Sequence, residues 1–296
     1  MTTTPRALSP QRWANEISLV LNAALGADRF PVNVPEVARE ISRTRFPDDP
    51  VSVVRGDILP GFDGALYRAP AGKKGWGIFY NSGIRSEGRI NFTLGHEFGH
   101  YLLHRLAHPN GFQCGEQDVV RWDSEYGQIE HQANVFAANL LMPFDDYRRQ
   151  IEARADVDLD MISACANRYR VSLVAAILRW IDYTERRAVL VVSCDGFILW
   201  ARSSKPALRT GAFFRTSKVT IPVPATSLAA LGPASANGPH GVQHPAGVWF
   251  AEPVREMAVH SEQYHFRLSL LVLPSEVRYV PVEPDEEDTY DRFMRR

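Results

Sequence analysis

The segment His96-Glu97-Phe98-Gly99-His100 places two imidazoles four residues apart with a carboxylate between them. On a helix, residues at i and i+4 share a face, so both imidazoles can reach one metal ion. Glu97 lies beside that pair, where it can take a proton from a water held at the metal. The chemistry this spacing suits is metal-assisted hydrolysis, which needs three protein ligands and one position open to water. Half-buried helix histidines with ordinary hydrogen bonds would show the same spacing, so the third ligand matters.

Four residues can be weighed for that place. His104 stands at i+8 from His96, but it drifts about a further 40° around the helix and ~6 Å along its axis, out of reach of one shared ion. His108 falls past the expected helix end and lacks the glycine turn of the longer H-E-x-x-H-x-x-G-x-x-H arrangement. Glu130 is the better choice, because Ala133, Ala137 and Ala138 beside it would let its helix approach the histidine helix closely. Glu125 is a weaker alternative near the loop.

The elements that must position these groups are legible on either side. Ser86 can cap a helix whose apolar face runs Ile90, Leu94, Phe98, Tyr101 and Leu102. The polar stretch 108–125 is expected as a loop, and helical spacing resumes through Ile129, Ala133, Phe136, Leu140 and Leu141 until Pro143 stops it. Upstream, short strands are expected at 51–54, 62–68 and 75–81, separated by Pro60-Gly61 and Ala71-Gly72 turns. The 75–81 strand is expected as an exposed edge that aligns an extended peptide by strand addition. Two further helices precede these strands, one started by Ser9-Pro10 and one capped by Asn33. The first, with Trp13, Ile17, Val20, Leu21 and Ala24 at helical spacing, reads as an amphipathic helix of the folded domain; its 17–27 stretch resembles a signal-peptide core only superficially.

Two helical patterns at 156–187, split at Tyr169-Arg170-Val171-Ser172, resemble a helix-turn-helix. The second opens Ser172-Leu173-Val174-Ala175-Ala176-Ile177-Leu178, with few side chains able to read base edges, and Arg168, Arg170 and Arg179 could meet phosphates but suit a solvated face as well. Packing or partner contact is the better reading than DNA binding. Beyond Ala188 the period shortens to that of strands. A hairpin is expected around Cys194-Asp195-Gly196, with strands at 219–223, 248–251 and 265–273, a loop at 232–247 and an acidic tail at 283–288. The organisation read from this is 1–150, 151–187 and 188–296. His240, His244, His260 and His265 lack tight ligand spacing, and Cys194 is an ordinary small side chain by default.

The 296 residues carry 33 Lys+Arg and 34 Asp+Glu, a formal net charge of −1, with 45% apolar and 23% charged residues. That excludes a mainly disordered chain, and near-neutrality removes a global electrostatic footprint for nucleic acid. Three scattered cysteines argue against a disulfide framework and fit a reducing cytoplasm. No apolar run reaches the ~18 residues needed to span a bilayer.

Two blocks are familiar. Ile78-Phe79-Tyr80-Asn81 followed by residues 89–104, Arg-Ile-Asn-Phe-Thr-Leu-Gly-His-Glu-Phe-Gly-His-Tyr-Leu-Leu-His, resembles the ImmA/IrrE family of bacterial metallopeptidases. Residues 130–143, Glu-His-Gln-Ala-Asn-Val-Phe-Ala-Ala-Asn-Leu-Leu-Met-Pro, look like that family's second signature. The resemblance covers roughly residues 10–185. It implies an α+β, zincin-like domain binding Zn²⁺ through His96, His100 and Glu130, with Glu97 as catalytic base. It also implies site-specific cleavage of an Xre-type helix-turn-helix repressor, relieving repression of stress-response or mobile-element genes. For 188–296 it suggests the GAF-like sensory domain that some members carry.

A zinc-dependent endopeptidase is therefore the expected function. Candidates for a second oxyanion donor are Tyr101, His131 and Tyr264. The competing expectation is a non-proteolytic zinc-binding regulator that binds a repressor or DNA. Against it, a His2Glu set leaves an open position, whereas structural zinc is usually closed by four ligands. A secreted general protease is opposed by the absence of leader and propeptide features.

Overall fold

The computed structural model describes residues 8–114, 125–216, 219–231, 240–261 and 265–275. These form a mixed α+β architecture of helices and two sheets, divided into two units. The first unit contains the chain up to Asp146 together with Ala166–Ser172; the second contains Tyr147–Cys165 and the chain from Leu173 onward.

In the first unit, the Ser9 side chain accepts the N–H of Arg12 at 3.3 Å and Pro10 takes the first helical position, starting α1 (Pro10–Leu25). Asn33 does the same for α2 (Val34–Arg45) through the N–H of Glu36. Then come β1 (Val51–Asp57), β2 (Gly64–Arg68) and β3 (Trp76–Asn81). Ser86 caps α3 (Glu87–Leu103), accepting from the N–H of Arg89 at 3.2 Å. The stretch expected as loop contains a short strand, β4 (Phe112–Cys114), and α4 (Glu125–Leu141) follows. The sheet order is β1-β3-β2-β4, with β1 parallel to β3 and the other pairs antiparallel.

That order overturns the expectation that the 75–81 strand is an edge. β3 lies between β1 and β2, and Trp76, Gly77 and Ile78 are buried, the profile of an interior strand. Among the described residues, the edges are β1 and β4. One anchor of β3 is the Trp76 indole, which donates to the Asp49 carboxylate at 2.9 Å.

Helix α3 packs on β2 and β3 and against α4. The contact with α4 is close because small residues meet: a Cβ on Gly95 would stand 3.3 Å from the Ala137 Cβ, and one on Gly99 would stand 3.1 Å from the Ala133 Cα. Phe98 and Phe136, both fully buried, close the interface edge to face at 5.5 Å.

The chain continues through α5 (Phe144–Gln150), α6 (Leu159–Tyr169) and α7 (Leu173–Ile181). Of the arginines considered for phosphate contact, Arg179 is buried and Arg168 makes two bonds to the Asp146 carboxylate, at 2.9 and 3.2 Å. The second unit holds a five-stranded antiparallel sheet, β6-β5-β9-β8-β7, from β5 (Ala188–Cys194), β6 (Phe197–Ser203), β7 (Val242–His244), β8 (Val254–Ser261) and β9 (Phe266–Val272). Helix α7 packs on β5 and β6, and the helical turns α8 (Lys205–Arg209) and α9 (Leu228–Leu231) complete the unit's helices among the described residues. Asp195-Gly196 makes the expected hairpin turn, both residues having positive φ.

Two expected strands are absent. At 219–223 there is a single bridge from Pro222 to Phe197, because Pro222 and Pro224 lack the N–H groups that a ladder needs. The 248–251 segment is bent, with Trp249 turned into a core beside Val254 and Leu271. The strand lies further on, as β8, which alternation alone did not single out. The acidic tail at 283–288 and part of the 232–247 loop lie outside the described residues.

Candidate metal centre

His96 and His100 leave α3 on one face, and Glu130 reaches them from α4. Their ligand atoms lie within 4.8 Å of one another, and among the described residues they are the one group of three or more His, Cys, Asp or Glu side chains so arranged. The two Nε2 atoms are 2.9 Å apart. One Glu130 oxygen stands 3.1 Å from Nε2 of His96 and the other 3.2 Å from Nε2 of His100. A pair of imidazole nitrogens and a carboxylate converging on one point fits a divalent cation of borderline softness.

The electrostatics suit that role. Burial pulls His96 down, but the Glu130 carboxylate outweighs it and raises the pKa to about 9. His100 is lowered to about 4, first by burial and then by the neighbouring charge of His96. Burial would lift Glu130, yet the two imidazoles hold it well below the usual carboxylate range. A charged carboxylate thus stands against two imidazoles of opposed tendencies, and a cation at their centre would replace the proton on His96.

Glu97 has no exposed surface, and its charge is one of the influences raising His96. Its volume is provided by Gly64 on β2, where a Cβ would stand 2.7 Å from Glu97 Oε1 and 2.5 Å from the Thr93 methyl. The ring of Phe112, on β4, stacks on His100 at 4.4 Å with 20° between planes. Nδ1 of His96 meets Oδ1 of Asn134 at 2.9 Å, and Nδ1 of His100 meets Nδ1 of His104 at 3.1 Å.

His104 thus stands behind His100, outside the ligand group, and His108 beyond it packs on Phe112. Tyr101 is removed from the oxyanion candidates: its ring is buried and its hydroxyl donates to the Asp49 carbonyl at 2.7 Å. His131 is exposed on α4 beside Glu130. Tyr264 and the Glu125 side chain lie outside the described residues. His240 pairs with Asp158 and His244 with the buried Glu256. Burial and the Asp195 carboxylate hold the Cys194 thiol above its ordinary value, the direction opposite to a reactive thiolate. Sequence reasoning missed Gly64, Phe112, Asn134 and Gln132. For Asn134 a signal existed, since it lies four residues after Glu130 on the same helix face.

No helix among the described residues is long and apolar enough to cross a membrane. Residues 51–180 match a peptidase-family model, Peptidase_M78, described as the IrrE N-terminal-like domain. Comparison with curated proteins gives no match.

Proposed function

From the match of residues 51–180 to the IrrE N-terminal-like peptidase domain, we propose that the protein is a zinc-dependent endopeptidase of the ImmA/IrrE type with a zincin-like catalytic unit, acting on a helix-turn-helix repressor of the Xre type. The observation that carries this reading is the convergence of His96, His100 and Glu130 within 4.8 Å, with the Glu97 carboxylate buried beside them. Zinc held by these three would lower the pKa of a water from about 16 to about 7 and polarise the scissile carbonyl.

The chain's own groups do the rest. Glu97 accepts the proton of the attacking water and passes it to the leaving amine. Its enclosure by Gly64 and Thr93 restricts where the carboxylate can go, so the proton acceptor is held in place before substrate arrives. In the sheet order, β4 is an edge, and its Phe112 touches His100. An extended segment of the substrate added along β4 would bring its backbone to the ligand cluster.

The repressor as substrate, the GAF-like nature of the second unit and a role in stress-response or mobile-element gene control are parts of this proposal drawn from the family, by analogy. The engagement of Arg168 by Asp146 and the burial of Arg179 favour protein contact over DNA contact. The test is metal analysis and cleavage of purified variants. His96→Ala, His100→Ala and Glu130→Ala should lose zinc; Glu97→Gln should keep it and lose cleavage of an Xre-type repressor. Rapid many-site digestion of casein with the repressor left intact would refute the substrate. Repressor binding without cleavage under any divalent metal would favour the non-proteolytic regulator.

A further inference from the structure

Each imidazole that faces the candidate metal through Nε2 must carry its proton on Nδ1, because a neutral ring has one N–H and one lone pair. For His96 the acceptor of that proton is an amide oxygen, Oδ1 of Asn134 at 2.9 Å. For His100 the facing atom is another ring nitrogen, Nδ1 of His104 at 3.1 Å. Two facing nitrogens share one proton, so the direction of this bond must be set elsewhere. Were the proton on His104, Nδ1 of His100 would be the acceptor and its Nε2 would hold a hydrogen instead of a lone pair.

The second nitrogen of His104 sets the direction. Nε2 of His104 lies 3.1 Å from Oε1 of Gln132, an acceptor only. Satisfying that bond puts the one proton of a neutral His104 on Nε2 and leaves Nδ1 bare toward His100. We infer that Gln132 and His104 form a relay that turns the Nε2 lone pair of His100 toward the metal, with His104 a positioning residue and not a ligand. The order is His100 Nδ1–H to His104 Nδ1, then His104 Nε2–H to Gln132 Oε1. It couples the two helices that build the site, because His104 caps the end of α3 and Gln132 stands on α4 two residues after Glu130. The inference rests on the metal-centre reading above.

Substitutions separate the relay from simple packing. Oδ1 of an asparagine sits about where Nδ1 of a histidine does, so His104→Asn can still accept from His100, and asparagine is at home where a helix ends. His104→Phe keeps an aromatic ring and removes the acceptor. Gln132→Leu, at a half-buried position, removes only the far end of the chain. Zinc affinity of the full-length protein is measured by competition with a chelating indicator, with circular dichroism checking the fold of each variant.

His104→Phe should bind zinc roughly 10- to 100-fold more weakly, the usual cost of losing an outer partner of a ligating histidine. Gln132→Leu should weaken binding in the same direction, and His104→Asn should stay within about threefold of wild type. Wild-type affinity in a folded His104→Phe would overturn the relay, as would a His104→Asn loss equal to that of His104→Phe. If the phenylalanine variant fails to fold, an unchanged affinity in Gln132→Leu overturns it instead. Absence of zinc binding by the wild-type protein would overturn the metal centre itself, and is separately readable.

Discussion

Gly64 and Glu97 share one volume. A Cβ built on Gly64 of β2 would lie 2.7 Å from Oε1 of Glu97 and 3.0 Å from its Cγ, so the carboxylate occupies the space where any other residue would place its side chain. Glycine stands here for room, since its φ is outside the left-handed region. Gly64→Ala should therefore displace Glu97 while leaving the ligand residues in place. A misplacement near 1 Å costs roughly 10²-fold in rate. Zinc content should be unchanged and repressor cleavage should fall by about that factor; full cleavage by a folded Gly64→Ala would contradict the placement of Glu97.

The metal-free centre should show its own pH dependence. His96, raised from 6.5 to about 9, contributes stability that is complete below pH 6.5 and lost as pH rises through 9. His100, lowered to about 4, favours the folded state increasingly as pH rises from 4 to 6.5. The depressed Glu130 adds stability above its ordinary value that is lost as pH falls. Together they place the site's best pH near 6.5, so the melting temperature of chelator-treated protein should decline from pH 6.5 to 9. The decline should be smaller in Glu130→Ala. Zinc binding at pH 7.5 should release about one proton from His96, read from binding enthalpies in buffers of different ionisation heat. Buffer-independent enthalpies would contradict a protonated His96.

Gly99→Val tests whether close helix approach brings Glu130 to the histidines. Even a Cβ at 99 stands 3.0–3.2 Å from Phe136 Cδ1 and from the Cα and carbonyl oxygen of Ala133, and two of those atoms are backbone. The helices must separate to admit valine. Overpacking of this kind costs about 1–3 kcal/mol. A lower melting temperature together with weaker zinc binding is expected; destabilisation with undiminished zinc affinity would separate helix spacing from ligand geometry.

In the second unit, Glu256 is buried and accepts from the N–H groups of Leu228 and Ala229, the Trp249 indole and the Ser269 hydroxyl, with His244 also 2.9 Å away. Glu256→Ala leaves several donors buried without an acceptor, each costing about 1–3 kcal/mol, so a loss of at least about 3 kcal/mol is expected. Since the three candidate ligands all belong to the first unit, zinc content should persist below the new transition. A melting temperature within 1 °C of wild type, by calorimetry, would refute the role of this carboxylate.

What the sequence determined by itself was local or repeated. The i, i+4 spacing of His96 and His100 is a property of any helix, and Ser9, Asn33 and Ser86 announce helix starts because a cap acts within three residues. Even the approach of α4 was legible, since alanines at 133 and 137 leave little between two helices. Tertiary structure alone decided the rest. Which strand is an edge depends on β1 pairing directly with β3, in parallel, and not with β2, its neighbour in sequence, a choice that no alternation encodes. The unannounced β8 has a similar origin, since a ladder forms only where a partner offers its N–H and C=O groups in register, whereas the failed strand at 219–223 was legible in Pro222 and Pro224. Gly64 beside Glu97 and Gln132 behind His104 are likewise invisible in the chain, because their meaning is the side chain that another element brings within 3 Å or so of them.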